Sequence, residues 1–171
     1  MELLDLMRKR QSCRDFSDRP VRKEELFQCV EAARIAPSGQ NHQPWKFVIV
    51  HRKDLCRQVA KIAQQYGEFN RFCEPCPAFV VVQKRYLPGD RDIELDLGLC
   101  VMQLCLEAEA LGLSTCMIGS FGAEQLSDLL ELSPQEPPRL LVAVGYAADE
   151  THREKTRLPY EEVVTYLGEE S

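Results

Sequence analysis

Residues 92–111 carry the longest helical pattern in the chain, and it is apolar almost all the way round. Leu95, Leu97, Leu99, Val101, Met102, Leu104 and Leu106 leave little of its surface purely polar. Such a helix needs other elements over most of its circumference, because each Å² of apolar surface left in water costs about 25 cal/mol. The rest of the chain offers those elements. Leu3, Leu4 and Met7 predict a helix over 2–9. Leu26, Phe27, Val30, Ala33 and Arg34 predict another over 23–35. Helical spacing recurs over 53–65 and 123–130, and apolar runs predict strands over 45–50, 78–83, 114–118 and 139–146. Asp18 to Val21 reads as a turn, Pro37 stops the second helix, and Gly112 stands where a helix-ending glycine belongs. Strands and helices alternate too irregularly for a series of parallel units, which predicts an α+β or three-layer architecture. Leu158, Tyr160, Val163, Val164 and Leu167 in the charged tail from Ala147 predict that the tail packs on another surface.

Composition narrows the function. The chain has 171 residues, the length of one domain, with a formal charge of −6 and a pI near 5.2. An acidic chain gains no general attraction to nucleic-acid phosphates or anionic lipid. No apolar run approaches the roughly 20 residues that span a bilayer. The amphipathic start, Met1 to Arg10, lacks a signal core and a cleavage site, which predicts a cytoplasmic protein. Eight scattered cysteines then read as reduced thiols used as small core residues.

Several chemistries lack their residues. No glycine-rich phosphate loop occurs. The three histidines, His42, His51 and His152, have no paired metal-ligand spacing, and only His42 stands in a loop that could be functional. Cys73 and Cys76 have dithiol spacing, but Pro77 and an apolar strand follow where such a motif needs a helix. Structural thiols are the favoured reading of that pair, with a labile disulfide and half a metal site as alternatives.

Three segments carry candidate chemistry. Arg10-Gln11-Ser12-Cys13-Arg14 places two guanidinium groups around a hydroxyl, which suits a phosphate dianion or, more blandly, a solvated basic turn. Ala36-Pro37-Ser38-Gly39-Gln40-Asn41-His42-Gln43-Pro44-Trp45 is a loop crowded with amide and hydroxyl groups. It suits the edges of a polar heteroaromatic ligand, or an ordinary turn. Lys155-Thr156-Arg157 could return to the first arginines, or simply belong to a charged tail.

In this order the segments resemble the nitroreductase family of flavin enzymes. Arg10-x-Ser12-x-Arg14 is similar to the family's opening R-R-S-x-R, with Gln11 in place of the second basic residue. The stretch from Ala36 to Trp45 resembles its A-P-S-x-x-N-x-Q-P-W signature. Asp96-x-Gly98, Gly112 to Gly119 and Lys155-x-Arg157-x-Pro159-Tyr160-Glu161-Glu162-Val163 extend the likeness over most of the chain.

The resemblance implies a three-layer α-β-α sandwich around a mixed, mainly antiparallel sheet. It implies a single FMN-binding domain over 1–157 and an arm over 158–171 that packs on the partner of a homodimer. It implies FMN as cofactor, NADH or NADPH as reductant, and a small-molecule electron acceptor such as a nitroaromatic or quinone. Carried over by position, Arg10, Gln11, Ser12 and Arg14 hold the phosphate and ribityl chain, and Lys155 and Arg157 complete the phosphate site. Pro37, Ser38, Gly39 and Asn41 come from the other subunit. Ile118 and Gly119 lie against the flavin ring, and Asn70 meets its pyrimidine edge. No protein general base is implied, since the flavin carries the chemistry. The connection between the strand at 78–83 and the long helix is short, so the excursion that shapes the acceptor pocket in relatives is reduced. A protein that stores, senses or modifies FMN is the alternative, followed by a cysteine-based redox protein.

Overall fold

The computed structural model describes residues 2–87, 93–149 and 151–168. Four strands form one sheet in the order β1-β2-β4-β3: β1 Trp45–Val50, β2 Ala78–Lys84, β3 Ser114–Ile118 and β4 Pro138–Gly145. All three neighbouring pairs are antiparallel. The parallel component expected of a mixed sheet is confined, among the described residues, to one isolated bridge between Ser12 and Thr115.

Side chains alternate across a strand, and β2 is buried on both faces. Ala78, Val80 and Val82, with Val142 and Val144 of β4, meet α2 (Lys23–Arg34) and α4 (Glu94–Ala110). Phe79 and Val81, with Leu141, Ala143, Cys116 and Ile118, meet α3 (Lys53–Gln64) and α5 (Ala123–Leu130). Two apolar cores on either side of one sheet make the three-layer α-β-α sandwich. A 3-10 segment over Glu68–Cys73, which the sequence pattern missed, packs beside α3. It is too short to show a helical period.

All eight cysteines are buried and free. Cys29, Cys56, Cys100 and Cys105 stand at helix positions that face the cores, where a side chain between Ala and Val in bulk lets helix and sheet approach.

The strand and helix bounds follow the sequence pattern to within a residue or two, and the expected helix onset at 92 lies outside the described residues. Within one chain, two apolar surfaces stay open. α4 is not covered all round, since Leu95, Leu99 and Met102 are 74 %, 41 % and 38 % exposed. They fall at positions i, i+4 and i+7, one stripe of the helix that no described element of the same chain fully covers. The tail forms only a short helix, α6 (Tyr160–Val163), and Tyr160, Val163, Val164 and Leu167 stay exposed, as do Leu3, Leu4 and Met7 on α1 (Leu3–Lys9).

Candidate functional site

The first and third motifs meet at the free edge of β3. The bridge between Ser12 and Thr115, with the Cys13 N–H donating to the Thr115 carbonyl at 2.8 Å, lays residues 10–14 along that edge. The tail then folds back onto them. Gln11 Nε2 donates to the Thr151 carbonyl at 2.8 Å, and Gln11 Oε1 accepts from the Arg153 N–H at 3.1 Å. An Arg or Lys at position 11 has no acceptor for that second bond. The Lys155 ammonium donates to the Arg10 carbonyl at 2.6 Å and also to the Arg8 carbonyl, while the Arg153 guanidinium reaches the Ser12 carbonyl.

The result is a groove of about 240 Å³. Arg10, Gln11, Ser12 and Arg14 line one side, and Arg153, Glu154, Lys155 and Arg157 the other. None of these five cations forms an ion pair among the described residues. Burial, with the charges of Arg10 and Arg157 close by, pushes the Lys155 ammonium below its usual range. An uncompensated cation cluster of this kind attracts a multiply charged anion. Arg153 is missing from the sequence-based set. Its signal was the alternation of cations at 153, 155 and 157, which an extended chain puts on one side.

The groove continues past Arg14 into a second cavity of about 210 Å³. Its walls are Cys116, Met117, Ile118 and Gly119 at the end of β3, with Phe69, Asn70 and Phe72 opposite. Asn70 is buried, and its amide donates to the Ala63 carbonyl at 2.9 Å and the Ser120 carbonyl at 3.0 Å. It therefore pins the 3-10 segment to the turn after β3. Gly119 has no heavy atom within 4 Å of an added Cβ, so its backbone faces open space.

The second motif lies elsewhere. Pro37, Ser38, Gly39 and Asn41 precede β1, at the opposite edge of the sheet from β3. Three strand spacings, about 14 Å, separate the two edges. Gln40, Asn41 and Gln43 adopt left-handed backbone conformations, which crosslinks hold in place. Gln43 N–H donates to Ser38 Oγ at 2.9 Å, Arg85 Nε donates to the Gln43 carbonyl at 2.9 Å, and Gly39 N–H donates to Asp96 Oδ1 at 3.1 Å. That last bond ties the loop to an aspartate in the first turn of α4. His42 Nε2 lies 3.0 Å from Gln40 Oε1 within the same loop. One chain thus joins Arg10, Gln11, Ser12, Arg14, Lys155 and Arg157 in a groove, and Asn70, Ile118 and Gly119 in the cavity beside it. It leaves Pro37, Ser38, Gly39 and Asn41 apart from both.

The profile of the nitroreductase family matches residues 7–75 and 63–146. The chain belongs to the nitroreductase family, and so to the oxidoreductases. An oxygen-insensitive NADPH nitroreductase of Helicobacter acinonychis is 30 % identical, with 95 % of each chain covered. An FMN reductase [NAD(P)H] of Bacillus subtilis is 28 % identical over 99 % of this chain and 76 % of its own. A nitroreductase family protein of Streptococcus pneumoniae superposes with a TM-score of 0.84 at 24 % identity, covering 96 % of this chain and all of its own. The alignment to the Helicobacter enzyme runs over 204 positions, more than the 171 residues here, so that relative carries segments this chain lacks.

Proposed function

We propose that this nitroreductase family member binds FMN in the two joined cavities at the β3 edge. It carries electrons from NADH or NADPH to an electron-poor acceptor such as a nitroaromatic or a quinone. The observation that carries the reading is the groove of five cations, none in an ion pair among the described residues, opening onto a cavity walled in part by Phe69, Phe72, Met117 and Ile118, in a chain without a glycine-rich loop. FMN has the matching halves, a phosphate dianion and a flat ring. Arg10, Ser12, Arg14, Lys155 and Arg157, with Arg153, would hold the phosphate by charge-assisted hydrogen bonds. Gln11 would hold the tail that brings three of these cations in. Ile118, Gly119 and Asn70 would border the ring. When bound, the flavin supplies the redox chemistry, accepting a hydride from the nicotinamide and passing electrons to the acceptor. The chain's own residues bind, orient and exclude water, and His42, held within its loop, need not donate a proton.

The reading includes a homodimer. Pro37, Ser38, Gly39 and Asn41 precede β1, at the opposite edge of the sheet from β3 of their own subunit, so they would serve the ring of the partner. Residues 1–157 would form the flavin domain and 158–171 the arm that covers the partner, and the protein would work in the cytoplasm. Among the described residues no helix is long and apolar enough to cross a membrane.

The purified protein should be yellow, and NADH or NADPH under argon should bleach it. Colour that no nicotinamide bleaches would favour a protein that stores or modifies FMN, and a colourless protein would refute both. Arg14→Ala and Arg157→Ala should each weaken FMN binding by about 1.5–3 kcal/mol, the worth of a hydrogen bond to a charged group. FMN affinity unchanged in both would overturn the phosphate assignment.

A further inference from the structure

A larger cavity, about 410 Å³, lies on the outer side of the tail segment. Met7, Arg8, Lys9, His152, Arg153, Lys155 and Arg157 line it, with no carboxylate among the described residues of its wall. Arg153, Lys155 and Arg157 face both this cavity and the phosphate groove, and Arg14 faces both the groove and the ring cavity. The three cavities therefore follow one another: ring, first phosphate, outer cavity.

The charges do not balance with FMN alone. A phosphate monoester brings about −1.5 to −2 at neutral pH. The groove holds five cations, none in an ion pair among the described residues, against one carboxylate, Glu154, so about two positive charges remain once FMN is bound; the outer cavity adds Arg8, 3.2 Å from an exposed Asp5, and Lys9, 3.3 Å from Glu109. Like charges crowded in this way repel unless an anion lies among them. The excess is local, since the whole chain has a net charge of −6.

We propose that the outer cavity is a second phosphate subsite, which receives a phosphate monoester of the nicotinamide donor and makes NADPH preferred over NADH. The proposal rests on the flavin reading above, since it is FMN that takes the first subsite. Two arguments favour a monoester over the linking diphosphate that both donors share. A monoester approaches a double charge on one phosphorus, matching the local excess. It also presents three terminal oxygens to guanidinium groups that bind such oxygens in pairs. The serial order of the cavities fits a dinucleotide whose nicotinamide lies over the ring and whose far end passes the FMN phosphate.

Calorimetry on the FMN-loaded protein tests this with adenosine 2′,5′-bisphosphate, adenosine 5′-monophosphate and inorganic phosphate as probes. The bisphosphate should bind without releasing FMN, roughly tenfold or more tighter than either other probe, as one extra charge-assisted contact allows. Arg8→Glu should weaken it by a similar factor, and Arg8→Lys should retain most of the affinity. In turnover, Arg8→Glu should raise KM for NADPH while kcat and the NADH parameters stay unchanged. Equal affinity for bisphosphate and monophosphate, or no effect of Arg8→Glu, would overturn the subsite. Tight binding of inorganic phosphate alone would overturn the donor assignment, and release of FMN by the bisphosphate would make the cavity part of the flavin groove. Failure of the flavin reading would show differently, as a colour that neither nucleotide bleaches, while calorimetry still decides the subsite.

Discussion

The cysteines show how burial decides chemistry at the scale of one residue. Burial pushes the Cys73 thiol up to about 12, as it does Cys29 and Cys100, and Cys56 up to about 11. Cys76 is pushed up as well and donates to the Ala78 and Val144 carbonyls. A reactive dithiol needs the opposite shift, so the Cys73–Cys76 spacing reflects two core positions and gives the cysteine-based reading no support. The sign for stability follows. Folded values above the unfolded value of about 8.5 stabilise the protein fully below that pH, and the contribution is lost as pH rises through the thiol range. Iodoacetamide at pH 8 should label the native protein far more slowly than the urea-unfolded chain, and the urea midpoint should fall between pH 8 and 10.5. Rapid native labelling of Cys73 or Cys76 would contradict this account.

Element ends offer a matched comparison. α4 ends in a left-handed cap at Gly112, φ +78°, where Leu113 N–H donates to the Ala108 carbonyl and Gly112 N–H to the Glu109 carbonyl. α5 ends in the same hydrogen-bond pattern, with Leu132 N–H donating to the Ser127 carbonyl, but its left-handed residue is Glu131 at φ +52°. A side chain in this conformation costs about 1–2 kcal/mol, a cost that glycine avoids. Nothing lies within 4 Å of a Cβ built at Gly112, so backbone conformation alone sets the effect there. Gly112→Ala should therefore destabilise by about 1 kcal/mol and Glu131→Gly should stabilise by a similar amount. Denaturant melts of the two variants check this, and shifts of the same sign would refute the cap argument.

For the whole molecule, the exposed apolar residues have one economical explanation. Leu3 and Leu4 on α1, Leu95, Leu99 and Met102 on α4, and Leu158, Tyr160, Val163, Tyr166 and Leu167 in the tail all face solvent in one chain. Patches of that extent mark interfaces. A stable dimer burying more than roughly 2,000 Å² should cover them. Leu99→Glu places a charge in the α4 stripe and should give monomers on sedimentation that also lose FMN, because Ser38, Gly39 and Asn41 would no longer reach a ring. A variant that is monomeric yet keeps its flavin would separate the two roles and refute the shared site.

The sequence alone determined the elements, because local period and turn chemistry depend on residues a few positions apart. The strand at 114–118 and the helix at 123–130 appear where that pattern put them, as does the cap at Gly112. The motif order determined the family, and with it six residues that now line one groove. Tertiary structure decided what depends on distant partners. It brought Arg153 into the cation cluster through a hydrogen bond to Gln11, 142 positions away. It opened the outer cavity between α1 and the tail, and it put residues 37–41 across the sheet from the groove. It also showed which stripe of α4 one chain leaves open, that of Leu95, Leu99 and Met102. Apolar content states how much surface a helix must cover, and only the packing of the whole chain shows whether its own elements suffice.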